Sequence, residues 1–183
     1  YRHIDTAAVY QNERGVGEAI ARSDVPRDEI FVTTKVWNDA IREGTKATRQ
    51  AVDDCLGRLN LDYVDLVLLH WPVEGYPAAW RALEAAYEAG KTRAIGASNF
   101  LTEHLQTLMD SGDVRPMVNQ IEFHPYLVQQ ALIDFCHEHE IQPEAWSPIM
   151  KGRAGDEPTI KEIAAKHDRT PAQIVLRWDL QKH

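Results

Sequence analysis

Short apolar runs and helical patterns alternate along the whole chain, and this alternation limits the fold more than any other feature of the sequence. Six runs have the length of a strand, and they start roughly every 25–35 residues, the length of a βα unit. They lie at residues 2–6, 30–37, 64–70, 92–98, 116–122 and 141–147. A helical pattern follows each run; Val52, Cys55, Leu56 and Leu59, for example, recur at the spacing of one helix face. Strict alternation predicts a parallel sheet, either doubly wound or closed into a barrel.

Two observations favour the barrel over the doubly wound sheet. The glycine fingerprint of a dinucleotide-binding turn is incomplete, because Gly15-Val16-Gly17 has no third glycine and lies within the helical pattern of Val16, Ala19 and Ile20. Polar residues also stand at the C-terminal ends of nearly all the runs, which is where a (β/α)8 barrel builds its active site. The sequence therefore predicts an α/β fold of the (β/α)8, or TIM-barrel, class.

The length of the chain bears on how much of a barrel it contains. A complete barrel of this kind takes about 250 residues, whereas this chain has 183. We expect a single partial domain over residues 1–183 that supplies about six βα units and lacks the first and last strands, because the ends are either truncated or only disordered in a longer chain. A loop is expected from Gly152 to Pro158, and a last helix from Thr170-Pro171, a favourable helix start, to about Gln181.

Composition and charge exclude several classes of function. The formal net charge is −8 and the pI is near 5.4, which argues against nucleic acid or an anionic membrane surface as the main partner. No run approaches the roughly 18 apolar residues of a membrane span. Cys55 and Cys136 fall in helical patterns without metal or redox spacing, and they are typical of buried free thiols in a reducing compartment. We expect a cytoplasmic protein that is a monomer or a weak oligomer.

Four ionisable residues near the ends of the first three runs, Asp5, Tyr10, Lys35 and His70, form the candidate site and are called the tetrad below. Taken singly, each has an ordinary structural interpretation: a packed Tyr, a structural His or a buried Lys–Asp ion pair. A Lys within the apolar run Phe31 to Trp37 is costly to bury unless it is paired. Because a barrel gathers the C-terminal ends of its strands at one mouth, the four residues are expected to meet there.

Together, the tetrad has the composition of a proton-donating site. A Tyr with its ordinary pKa of about 10 is a weak acid, and a nearby Lys ammonium is expected to lower the pKa of that Tyr by stabilising the phenolate. An Asp would hold the Lys in place, and a His would orient a substrate oxygen by a hydrogen bond. This set suits general acid catalysis at a carbonyl oxygen while the carbonyl carbon receives a hydride.

The chain closely resembles the aldo-keto reductases over nearly its whole length, most of all bacterial members of the 2,5-diketogluconate reductase and glyoxal reductase type. The first matching stretch reads His-Ile-Asp-Thr-Ala-Ala-Val-Tyr and contains two members of the tetrad. The stretches that carry the resemblance are His3 to Tyr10 with Asn12-Glu13 and Val16-Gly17, Thr33 to Trp37, Leu59 to Pro72, Arg93 to Phe100, Val118 to Tyr126, Glu144 to Pro148, Thr170 to Gln173, and Leu176 to Trp178.

The resemblance implies a reaction and a role for each member of the tetrad. The reaction would be NAD(P)H-dependent reduction of an aldehyde or ketone to an alcohol, of the alcohol dehydrogenase (NADP) type. Tyr10 would be the proton donor, with Lys35 and Asp5 tuning its pKa, and His70 would orient the carbonyl.

The resemblance also implies binding residues for a cofactor and a substrate. The nicotinamide carboxamide would be bound by Ser98, Asn99 and Gln120, while Trp146 would stack on the nicotinamide ring and Ser147 would contact the pyrophosphate. An apolar substrate pocket would be lined by Val9, Trp37, His70 and Trp71. No metal site is expected, since His137 and His139 lie two apart on a helix and point to different faces.

Three questions stay open at the level of the sequence. The family's segment Ile-Pro-Lys-Ser, with a downstream Arg and Asn that hold the adenosine phosphate of NADPH, does not occur in these residues. NADPH is therefore the expected cofactor by family habit, and NADH is not excluded. The alternative function is a non-catalytic, cofactor-sensing binding protein of the same fold; a complete tetrad favours the enzyme. The physiological carbonyl substrate does not follow from the sequence.

Overall fold

The computed structural model describes residues 1–182 and divides into two compact units, residues 1–119 and the residues from 120 onward. His183 lies outside the described residues. The prediction of a single domain over residues 1–183 stays a prediction.

The first unit alternates strands and helices in the predicted order. Its strands are β1 (His3–Asp5), β2 (Phe31–Val36), β3 (Leu66–Leu69) and β4 (Ile95–Ser98). Its helices are α1 (Glu13–Ala21), α2 (Asn38–Arg42), α3 (Thr45–Leu59), α4 (Tyr76–Glu88) and α5 (Thr102–Ser111), with 3-10 turns at Ala8–Tyr10 and Arg27–Glu29. Short helix α2 is an addition to the predicted pattern.

Parallel pairing places the C-terminal ends of these strands at one edge. β1 pairs with β2, β2 with β3 and β3 with β4, all in parallel. All four residues of β3, the continuous apolar run Leu-Val-Leu-Leu, are buried, which is typical of a parallel strand covered on both faces. The amide of Met117, just before β5 (Val118–Glu122), donates to the carbonyl of Ile95 at 2.9 Å.

Helix α1 is confirmed, but its buried face differs from the predicted one. Glu13, Gly17 and Ile20 are its buried residues, whereas Ala19 of the predicted pattern is exposed. A Cβ at Gly17 would lie 1.9 Å from the carbonyl oxygen of Leu59, so only glycine permits this approach of α1 to the end of α3. Gly17, one of the two glycines of the incomplete nucleotide-binding pattern, therefore serves helix packing.

A cluster of charged and aromatic side chains joins the N-terminal ends of β2 and β3. The carboxylate of Asp65, 3% exposed, accepts hydrogen bonds from Arg27 Nη1 at 2.9 Å, Arg93 Nη1 at 3.2 Å and the Val32 amide at 2.9 Å. The Tyr63 ring has the Arg27 guanidinium at 4.3 Å and the Arg93 guanidinium at 4.7 Å from its centroid. We call these residues the Asp65 cluster; charge pairing and cation–π contact act there together.

The second unit contains the end of β5, then α6 (Gln130–Glu138), β6 (Gln142–Trp146), a 3-10 segment (Met150–Gly155), α7 (Pro158–Lys166) and α8 (Pro171–Lys182). The start of α8 at Thr170-Pro171 is confirmed, and Thr170 and Gln173 form a reciprocal side-chain cap at distances of 2.9 and 3.3 Å. The loop prediction over Gly152 to Pro158 is wrong in part. Residues up to 155 form the 3-10 segment because Met150 and Ala154 are buried against Ile160 and Val175.

Candidate active site

Parallel register brings three members of the tetrad to neighbouring strand ends. Asp5 is the last residue of β1, Lys35 lies one residue before the end of β2, and His70 directly follows β3. Tyr10 is the last residue of the 3-10 turn that follows β1. The structure thus gathers all four predicted residues, although 65 positions separate the first from the last.

Lys35 is buried as one half of an ion pair. The side chain is 1% exposed, and its Nζ donates to the carboxylate of Asp5 and, at 3.1 Å, to the carbonyl oxygen of Thr6. An unpaired ammonium at this depth would be costly, so the pair and the backbone acceptor explain how an apolar strand tolerates a lysine. Asp5 itself is 35% exposed and faces the mouth of the site.

Tyr10 lies between Lys35 and His70. The Lys35 Nζ is 5.3 Å from the centroid of the Tyr10 ring, and the His70 ring meets Tyr10 edge to face with centroids 6.0 Å apart. The side chain is half exposed, so the phenol can be reached from outside.

The protonation of Tyr10 differs from the sequence prediction. Burial raises the pKa of the phenol above its ordinary value of 10.0, and the Asp5 carboxylate raises that pKa further. The predicted net lowering of this pKa is therefore wrong. The physical reason is that burial and the Asp5 carboxylate outweigh the stabilisation of the phenolate by the Lys35 ammonium, which lies 5.3 Å from the ring centroid. Tyr10 consequently holds its proton at neutral pH.

His70 is neutral at the same pH. Burial and, after it, the charge of Lys35 lower the pKa of the imidazole from 6.5 to about 4, and Asp5 opposes the shift only in part. Its Nδ1 is buried and has no hydrogen-bond partner among residues 1–182. Trp37 packs edge to face against the imidazole, with ring centroids 5.1 Å apart.

The predicted substrate-binding residues follow or precede members of the tetrad. Val9 is 37% and Trp71 41% exposed, next to Tyr10 and His70 in the sequence, and Trp37 is half-buried against His70. The first unit therefore presents aliphatic and aromatic surface beside Tyr10, as an apolar substrate pocket requires.

Ser98 and Asn99 stand at the end of β4 beside the tetrad. Ser98 is buried, and Asn99 has a left-handed backbone with φ 64°. The Asn99 amide nitrogen donates to the carbonyl oxygen of His70 at 3.0 Å and to Ser98 Oγ at 3.1 Å. The two predicted cofactor ligands of this unit are thus fixed to the strand end that carries His70.

The other predicted cofactor ligands belong to the second unit. Gln120 is buried in β5, and its amide nitrogen donates to the Glu144 carboxylate of β6 at 2.7 Å. Trp146 ends β6 half-buried, and Ser147 follows it with a left-handed φ of 52°.

Sequence reasoning included a set of polar residues around the tetrad in the matching stretches but gave them no role: Thr6, Asn12, Glu13 and Thr34. Thr6 Oγ1 donates to Asn12 Oδ1 at 2.6 Å, and Thr34 Oγ1 donates to Glu13 Oε1 at 2.6 Å. The signal was present, because Glu13 shares the helix face of Gly17 and Ile20, and a charge on a buried face is informative.

Two classes of feature are lacking among the described residues. No group of three or more His, Cys, Asp or Glu side chains within residues 1–182 could hold a metal ion. None of the helices in this range combines the length and apolar character needed to cross a membrane.

Comparison with known proteins decides the family. A model of the aldo/keto reductase family matches residues 1–183. The chain belongs to this family. A glyoxal reductase of Bacillus subtilis is 52% identical over 182 residues, which are 99% of this chain and 65% of that protein. This aldo-keto reductase chain thus spans about two thirds of the length of such a relative.

Solved aldo-keto reductases have the same fold. An enzyme from a Medee basin deep-sea metagenome superposes with a TM-score of 0.94 at 46% identity, covering 100% of this chain and 68% of its own. A Bombyx mori aldo-keto reductase in complex with NADP superposes with a TM-score of 0.90 at 36% identity, covering 100% and 66%. The prediction of a (β/α)8 fold, to which this chain contributes about six βα units, is confirmed.

Proposed function

We propose that this aldo-keto reductase chain carries the proton-transfer site of an NADPH-dependent reductase of aldehydes and ketones. The observation that carries the proposal is a protonated, half-exposed Tyr10 placed between a buried Lys35–Asp5 pair and a neutral His70. Pairs of ionisable groups with perturbed pKa values in one exposed site are typical of catalysis.

Tyr10 acts as the general acid. Its raised pKa keeps the phenol protonated until an oxygen more basic than a phenolate forms next to it, and the alkoxide produced by carbonyl reduction is such an oxygen. When the proton leaves, the ammonium of Lys35 is the nearest charge that stabilises the phenolate, and Asp5 holds that ammonium in place.

His70 orients the carbonyl. Because the imidazole is neutral, one ring nitrogen can donate a hydrogen bond to the substrate oxygen without competing with Tyr10 as an acid. Trp37 packs edge to face against the imidazole and fixes the plane of the ring.

The donor set at the end of β4 fits a nicotinamide carboxamide. Such a group needs both donors and acceptors, and the Ser98 hydroxyl and the Asn99 amide supply both; we assign the same role to the Gln120 amide. We place Trp146 on the nicotinamide ring and Ser147 at the pyrophosphate. NADPH, when bound, supplies the hydride. The complex of the Bombyx mori relative with NADP supports NADPH as the cofactor.

The substrate class we propose is the 2-oxoaldehydes, such as glyoxal, on the strength of the name of the Bacillus subtilis relative. Small, reactive carbonyls fit a pocket with few polar anchors, and Val9, Trp37 and Trp71 provide its apolar lining. Cytoplasmic location, a state no larger than a weak oligomer, and the lack of a nucleic-acid or membrane partner stay predictions.

The test measures NADPH and NADH consumption by the complete protein with methylglyoxal, an aromatic aldehyde and a keto-sugar. We expect turnover with NADPH, and a loss of at least about 100-fold in kcat for Tyr10→Phe. Tyr87→Phe, an exposed tyrosine on α4, is the matched control and should keep wild-type kcat. Equal kcat for Tyr10→Phe and wild type would refute the assignment, and tight NADPH binding without any turnover would favour the cofactor-sensing alternative.

A further inference from the structure

Apolar packing does not hold the turn that carries Tyr10. None of the residues Ala8–Tyr10 is buried, and Tyr10 is half exposed. A cavity of about 450 Å³ borders the turn and is lined by Ala8, Gln11, Glu13, Arg14 and Arg58. A proton donor on such a turn needs other restraints, because small displacements of a catalytic group cost large factors in rate.

Hydrogen bonds fix the segment before the turn. Lys35 Nζ donates to the carbonyl oxygen of Thr6 at 3.1 Å, and Thr6 Oγ1 donates across the turn to Asn12 Oδ1 at 2.6 Å. The first restraint reaches the strand that carries Lys35, whereas the second closes the turn on itself.

Glu13 provides the restraint after the turn. Its side chain is 1% exposed; one carboxylate oxygen accepts from Thr34 Oγ1 at 2.6 Å and the other from Arg58 Nε at 2.6 Å. Thr34 immediately precedes Lys35 on β2, and Arg58 belongs to α3. One buried carboxylate thus ties the helix that follows Tyr10 to the strand that carries Lys35.

Attachment of α1 to α3 does not by itself require this carboxylate. The close approach of Gly17 to the backbone of Leu59 and the burial of Ile20 already pack the two helices together. Burying a charge costs desolvation energy, which a purely apolar contact would avoid. The bond from Thr34 to Glu13 is different in kind, because it links the first turn of α1 to β2.

We propose that Glu13 is a positioning residue, which holds the Tyr10 turn in register with Lys35 through its bonds to Thr34 and Arg58. The inference rests on the proposed reductase function and deepens it. Arg58 pairs with the carboxylate and orients it, and Thr34 transmits its position to β2. Loosening either bond lets Tyr10 move relative to Lys35, so proton transfer slows while the cofactor ligands at the end of β4 stay in place.

The experiment compares two pairs of variants in the complete protein. Thr34→Val removes the hydroxyl and keeps the shape of the side chain, and Glu13→Gln removes the charge. Their matched controls are Thr33→Val, which loses a bond to His3 on the neighbouring strand, and Glu18→Gln, an exposed residue of the same helix. For each variant, kcat for aldehyde reduction, the Kd for NADPH, the titration of the Tyr10 phenol and the thermal midpoint are measured.

The proposal expects Thr34→Val and Glu13→Gln to lower kcat by roughly tenfold or more, with the Kd for NADPH within about twofold of wild type and a displaced Tyr10 titration. The controls should keep kcat within about twofold. Wild-type kcat and an unmoved Tyr10 titration in Thr34→Val, with a thermal midpoint lowered only as in Thr33→Val, would overturn it.

Two further results separate the failure modes. An inactive wild-type protein with every carbonyl would refute the reductase function, while the Tyr10 titration, which needs no turnover, would still test the positioning role. If Glu13→Gln does not fold, Thr34→Val decides the question, because the ion pair of Glu13 with Arg58 remains in that variant.

Discussion

At the N-terminal ends of β2 and β3, Asp65 accepts hydrogen bonds from two arginines and a backbone amide, whereas at the C-terminal ends of the same strands the His70 Nδ1 has no partner among residues 1–182. Both ends bury charge, and both place a tyrosine ring beside a cation. The Asp65 carboxylate is satisfied, although Arg27 Nε in the same cluster is buried without a partner among residues 1–182, while the tetrad keeps a protonated Tyr10 half exposed. With the function proposed above, charge serves stability at one end of the strands and chemistry at the other.

Replacing the buried cation of the tetrad gives the largest expected effect. Lys35→Met should lower kcat by about 10²–10⁴-fold, because the phenolate of Tyr10 loses its stabilising charge. The free energy of unfolding should change by only about 1 kcal/mol, since Met fills the apolar strand and Asp5 can turn its charge to water. Steady-state kinetics and urea unfolding check the two numbers. A Lys35→Met variant that is destabilised but keeps the wild-type kcat per folded molecule would contradict the assignment of this charge to chemistry rather than to stability.

Acid should destabilise the protein through His70. The folded pKa of about 4 lies below the unfolded value of 6.5, so the fold opposes protonation. The contribution of neutral His70 to the unfolding free energy is fully present above pH 6.5. It is lost as the pH falls toward 4, and the loss amounts to at most about 3 kcal/mol. His70→Gln should flatten the pH dependence of the unfolding free energy in that window, and His167→Gln, an exposed histidine, should not. Parallel curves for His70→Gln and wild type would refute the burial argument.

A substitution in the Asp65 cluster should lower the unfolding free energy and leave kcat unchanged, which is the opposite of a substitution in the tetrad. Asp65→Asn keeps an acceptor for the Val32 amide but loses the charge that pairs with Arg27 and Arg93, at a cost of about 2 kcal/mol in unfolding free energy. The kcat per folded molecule should equal that of wild type. Chemical denaturation combined with active-site-independent concentration measurement checks this; a loss of kcat without a loss of stability would contradict the division of roles.

The smallest effect is expected between α1 and α3, where the thiol of Cys55 should not react in the folded protein. Cys55 is 1% exposed, and burial together with the Glu13 carboxylate raises its pKa to about 12. The thiolate that reacts with alkylating agents is therefore scarce at pH 8. Mass spectrometry after iodoacetamide treatment should find Cys55 unlabelled in the folded protein and labelled in urea. Rapid labelling without denaturant would show that the Glu13 environment opens easily.

The order of elements and the tetrad followed from the sequence, since periodicity and strand-end polarity are local signals. The tetrad could be assembled only by assuming a barrel, which brings Asp5 and His70 together by register rather than by sequence proximity. The direction in which the pKa of Tyr10 shifts could not be predicted, because it depends on whether burial and Asp5 outweigh the ammonium of Lys35. The Glu13 restraint was missed because Val16 and Ala19, rather than Glu13 and Gly17, were taken to define the packed face of α1.

The central claim is that Tyr10 keeps its proton until a substrate oxygen takes it. Ultraviolet difference titration of wild type against Tyr10→Phe, without cofactor, isolates the absorbance of this one phenolate. The account predicts that the difference signal rises only above the ordinary phenol pKa of about 10, because burial and Asp5 both oppose ionisation. A midpoint at or below about pH 9 would show that Lys35 dominates the site and would contradict the account.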